Sequence, residues 1–114
     1  MEIYSGGRAN GKTYKMTKLS AEKQIPIVCF SSHHLDHIKG MAKKMRINIP
    51  EPIHFENVRR RVIGNRKGLI VDDLDILLRR IFDDEVYYAT MKICNNTICK
   101  VEDKKWINQK QKEI

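Results

Sequence analysis

A chain of 114 residues that is 41% hydrophobic and 32% charged is a single domain with a modest core, which excludes a disordered chain. No apolar run is long enough to span a bilayer and the N-terminus lacks a secretory pattern, so the expected location is the cytoplasm, without a membrane partner. The net charge of +8 points to phosphate-bearing partners, and three cysteines without a Cys-x-x-Cys pair argue against a disulfide framework.

In chain order, residues 2–5 read as a first strand and residues 11–23 as a helix with a thin apolar face, Met16 and Leu19. Residues 25–30 form a second buried strand, with Pro26 at its start, where a missing donor is tolerated. Ser31 or Ser32 caps an amphipathic helix through Leu35, Ile38, Ala42 and Met45, stopped by Pro50 and Pro52. Residues 53–55 read as a short edge strand, and 56–63 as a helical turn or a hairpin arm. After a loop at 64–68, Leu69-Ile70-Val71 is a central strand, and Leu74, Leu77, Leu78 and Ile81 recur at helical spacing. Residues 86–91, Val-Tyr-Tyr-Ala-Thr-Met, are the last predicted strand, and the polar remainder through Trp106 is a loose helix or tail. The expected fold class is therefore α/β, with a parallel sheet of four to five strands and helices on both faces. Residues 1–100 make the domain and 101–114 its tail.

Two stretches carry chemistry. Gly6-Gly7-Arg8-Ala9-Asn10-Gly11-Lys12-Thr13 matches G-x-x-x-x-G-K-[ST] without a gap, between a strand and a helix. Glycines let main-chain amides curl around an anion, and the opening helix adds its positive end. The Lys12 ammonium reaches outer phosphates, and the Thr13 hydroxyl can ligate a magnesium ion bridging them. The second stretch is Leu69-Ile70-Val71-Asp72-Asp73, an apolar strand that delivers Asp72 to the edge of the sheet where the metal's water shell would lie.

Together these residues resemble the Walker A and Walker B motifs of P-loop NTPases, and the resemblance covers about two thirds of the chain. The Gly-Gly-Arg-x-x-Gly-Lys-Thr wording, small size and basic balance are similar to small P-loop proteins of bacteriophages and prophages. That resemblance implies ATP and Mg2+ as cofactors and a host-cell cytoplasmic location. Gly6 to Thr13 would hold nucleotide, and Thr13 and Asp72 would hold the metal. In the RecA-like and AAA division, a strand after Walker B carries a polar sensor of the γ-phosphate. By resemblance that residue is Thr90, whose plainer reading is an ordinary strand position. Hydrolytic relatives carry Glu beside the Walker B Asp. Asp73 is one methylene shorter, so it is either a base with short reach or the cap of the following helix.

Other clusters have plainer readings beside functional ones. Arg59, Arg60, Arg61, Arg66 and Lys67 form a solvated loop or a contact to a nucleic-acid backbone. Arg79 and Arg80 complement a helix dipole or serve as an arginine finger to a neighbouring subunit. His33, His34 and His37 form a solvated face or lie near the nucleotide edge, or His33 and His37, one turn apart, share a metal, and Cys94 and Cys99 have the wrong spacing for a zinc knuckle. The leading expectation is an ATP-binding P-loop protein with weak or partner-dependent hydrolysis, needing a homo-oligomer or a protein partner to perform work. The rival is a P-loop scaffold without catalysis that binds nucleic acid or a host protein.

Overall fold

The computed structural model describes residues 1–6, 11–60 and 67–91, together with the backbone of 98–100. The chain divides into two compact units, one made of Met1–Lys12 with the described residues from Thr90 onward, the other of Thr13–Ala89. The first unit holds a parallel pair, β1 (Ile3–Ser5) and β5 (Ile98–Lys100), in the register Ile3 to Ile98, Tyr4 to Cys99 and Ser5 to Lys100.

The second unit is an α/β structure around a three-stranded parallel sheet in the order β3-β2-β4. Its centre, β2 (Ile27–Cys29), is buried at every position, as an apolar run flanked on both sides by parallel neighbours requires. β3 (Ile53–His54) pairs through Val28 with Ile53, and β4 (Ile70–Val71) through Ile27 with Ile70 and Val28 with Val71. Pro26 sits just ahead of β2, where its lack of an N–H is harmless, and its carbonyl accepts from the Ile70 amide at 3.0 Å. α2 (Ser32–Met45) follows β2 and lies against β2 and β3. Its Ser31 cap has extended backbone, and the Ser31 hydroxyl accepts from the His34 amide. A 3-10 helix at Phe55–Arg60 decides the choice left open for residues 56–63 in favour of a helical turn, as far as Arg60. α3 (Leu74–Phe82) follows β4.

α1 (Lys12–Lys23) begins directly after Gly11, whose φ of 74° is the left-handed conformation that glycine adopts without steric cost. The buried face of α1 is Met16, Thr17 and Ser20. Two of these are polar yet satisfied: Thr17 Oγ1 donates to the Thr13 carbonyl at 2.8 Å and Ser20 Oγ to the Ile25 carbonyl at 2.6 Å. That is why the helix looks thinly apolar in sequence and still buries a stripe.

One predicted element is absent. Residues 86–91 form no strand, and Tyr87 and Tyr88 are 80% and 94% exposed. Aromatic and β-branched residues favour strands only where a neighbouring strand and a covering layer are present, and this segment follows the acidic turn Asp83-Asp84-Glu85 into solvent. The strand after α3 is instead Ile98–Lys100, within what reads in sequence as the polar remainder. Among the described residues, no helix is long and apolar enough to cross a membrane. The proposed tail at 101–114, with Trp106, lies outside the described residues, as does Cys94.

Candidate functional site

Asp72 follows directly on β4 and is 2% exposed, so its carboxylate must find donors inside the protein. It finds two. Thr13, in the first turn of α1, donates from Oγ1 to Asp72 Oδ2 at 2.9 Å, across 59 positions of sequence. His34 Nε2 lies 3.1 Å from the same oxygen, its ring 5% exposed in the first turn of α2. Three elements thus converge on one oxygen atom.

The donor roles follow from the other side of the imidazole. His34 Nδ1 lies 3.2 Å from the Phe30 backbone N–H, which can only donate. Nδ1 is therefore the acceptor nitrogen, Nε2 carries the proton, and His34 donates to Asp72. The ring is held flat as well, stacked on Phe30 with centroids 4.1 Å apart and planes 22° from parallel. Of the two leading readings of the histidine cluster, a solvated face or a place near the nucleotide edge, the solvated face does not hold for His34. A signal was available: His34, Ile38 and Ala42 recur at intervals of four and are the buried face of α2, whereas His33 and His37 are exposed.

Asp73 occupies the N-cap position of α3 but does not cap it. Its backbone is left-handed (φ 56°, ψ 58°), its carbonyl accepts the first helical bond from Leu77, and its side chain makes no capping hydrogen bond. The conformation instead keeps the carboxylate near the other polar groups: single ligand atoms of His34, Asp72 and Asp73 all lie within 4.8 Å of one another. The choice between cap and site residue left open by sequence thus resolves against a side-chain cap.

Cys29, at the end of β2, registers the charge. Burial, and then the negative charge of Asp72, push its thiol from the ordinary 9.0 up to about 12. Beside this centre an open cleft of about 550 Å³ is walled by Phe30 and Phe55, with Arg79 and Arg80 opposed by Glu56 and Asp83. Those charges balance, and Arg79 also donates to Glu85 at 3.2 Å, so the cleft has no net preference for an anion. The dipole-end reading of these arginines fits their place in the last turn of α3.

Gly6, Gly11 and Lys12 belong to the first unit, while Gly7, Arg8, Ala9 and Asn10 lie outside the described residues. Thr90 is exposed and in no strand, so the strand end on which a sensor role depends is missing there. Arg59, Arg60 and Lys67 are exposed, and Arg61 and Arg66 lie outside the described residues. Comparison of the chain with protein-family models, with curated proteins and with solved structures finds no match.

Proposed function

We propose that the chain is an ATP- and Mg2+-binding P-loop protein whose hydrolysis is weak or depends on a partner. The single observation that carries this reading is the bond from Thr13 to Asp72 at 2.9 Å. The hydroxyl that ends one motif and the first carboxylate of the other are neighbours in space, although 59 positions apart. Chance matches to two short patterns have no reason to meet.

The residues fit the metal. A hydroxyl and a buried carboxylate are hard oxygen donors of the kind magnesium takes, with water and phosphate oxygens filling the other positions. Thr13 and Asp72 would hold the ion, and Mg2+ there would neutralise charge on the nucleotide's outer phosphates. The remaining work falls to the chain. The main-chain amides of Gly6 to Gly11 would cradle phosphate, and Lys12 would reach its outer oxygens. Asp73 faces the same centre, but with a carboxylate one methylene shorter than glutamate it reaches an attacking water poorly, hence weak turnover. The finer architecture, a P-loop NTPase-like parallel sheet of four to five strands, belongs to this reading, as do cytoplasmic residence and a phage origin.

Calorimetric titration of the full chain with ATP, ADP and GTP, with and without magnesium, tests it. Magnesium-dependent triphosphate binding, weakened at least about tenfold in Lys12→Ala, is the expected result. Silence toward every triphosphate, or equal binding by Lys12→Ala, overturns it. Salt-sensitive DNA binding that ignores ATP would point instead to a scaffold without catalysis.

A further inference from the structure

We infer that His34 is the positioning residue of this centre: it holds the Asp72 carboxylate from behind and is barred from ligating metal itself, which leaves the site an all-oxygen one. This rests on the reading of Thr13 and Asp72 as the metal-binding pair. The trio of His34, Asp72 and Asp73, the first two buried and the third half-buried, has the composition of a mixed imidazole–carboxylate site suited to zinc or other transition metals. The hydrogen bonds say otherwise.

Coordination needs a lone pair on Nε2. With Nδ1 accepting from the Phe30 amide at 3.2 Å, Nε2 bears the proton and has none to offer. Moving the proton to Nδ1 would set two N–H groups against each other in a site only 5% exposed. Nor can the ring swing away. It is stacked on Phe30, and its Nδ1 is tied at 3.2 Å to the Phe30 backbone N–H. His34 therefore links the end of β2, the start of α2 and the end of β4, and its one free act is to donate to Asp72 Oδ2. Carboxylates that ligate metals are commonly aimed by such outer hydrogen bonds, and losing one lowers metal affinity about tenfold or more.

Two isosteres separate the two bonds. His34→Asn keeps an acceptor where Nδ1 lies and loses the donor to Asp72, while His34→Gln places an amide donor where Nε2 lies. Metal affinity is read from the Mn2+ resonance in the presence of ATP, alongside the thermal midpoint of each variant and the ring nitrogen signals of the full-length protein. The expected outcome is a proton on Nε2 with and without Mg2+, about a tenfold loss of Mn2+ affinity in His34→Asn, and recovery to within about threefold in His34→Gln. A purely structural histidine would shift midpoints and leave the affinity of the folded protein alone, and that result overturns the assignment. So does a proton on Nδ1, or zinc binding that depends on His34. If the wild type binds Mn2+ and ATP but neither variant changes affinity, only the role of His34 fails. If the wild type binds neither, the P-loop reading fails and takes this role with it.

Discussion

α2 and α3 leave the same edge of the three-stranded sheet, one after β2 and one after β4, and they begin in opposite ways. α2 starts with Ser31 in extended backbone, whose hydroxyl satisfies the His34 amide, and it buries His34, Ile38 and Ala42. α3 starts with Asp73 in a left-handed conformation, without a side-chain cap, and buries only Leu77. An aspartate is among the best caps available, so its carboxylate could have stabilised α3 by about 1 kcal/mol. It faces the Asp72 centre instead, in a backbone conformation that costs on the order of 1 kcal/mol for a residue with a Cβ. The helix built for stability is α2. α3 gives up its cap to place a charge.

The contrast can be broken from either side. The largest effect is expected in the core: Ile38→Ala should cost about 2–5 kcal/mol in urea unfolding, and Leu77→Ala should fall at the low end of that range because Leu77 is 6% exposed and Ile38 is not exposed at all. An equal or greater loss at Leu77 would mean that α3 is as firmly anchored as α2.

Next comes the charge between the helices. Because folding raises the Cys29 thiol from 9.0 to about 12, the folded state keeps a proton that the unfolded chain releases. The stability this contributes is complete below pH 9.0 and is lost as pH climbs toward about 12. Unfolding midpoints of the wild type should therefore fall more steeply over that range than those of Cys29→Ala. Parallel profiles would remove Cys29 as a sensor of Asp72.

Capping gives a smaller and sharper comparison. Ser31→Ala should cost about 1 kcal/mol, whereas Asp73→Gly should change stability by less than about 0.5 kcal/mol, since glycine accepts the left-handed backbone. Were Asp73→Gly to cost as much as Ser31→Ala, the Asp73 carboxylate would be holding its helix after all. Smallest of all should be Ile81→Ser on the exposed side of α3, within about 0.5 kcal/mol of wild type by thermal melting. A clear loss there would show that this face is covered in solution.

Much of this arrangement is legible in the residues themselves. The Gly11-Lys12-Thr13 and Asp72-Asp73 stretches announce themselves as loop–helix and strand-end patterns, and the bond between Thr13 and Asp72 follows from taking both seriously. The order of helices and strands through Phe82 is equally plain, because apolar periodicity follows the geometry of each element. Val86 to Met91 shows the limit. Its residue types suit a strand, but a strand exists only where another lies beside it, and composition cannot supply the neighbour.

What the amino-acid order determined by itself is therefore local: which segments are helical or extended, where they start, and which two motifs carry oxygen donors. Tertiary structure alone decided that Asp72, 38 positions away, is the partner His34 meets, and that Asp73 is left-handed and faces the centre rather than capping α3. The reason is physical. Periodicity specifies the face on which a side chain lies, but the partner of a buried polar group is chosen by whatever distant atoms the packing brings within hydrogen-bond reach.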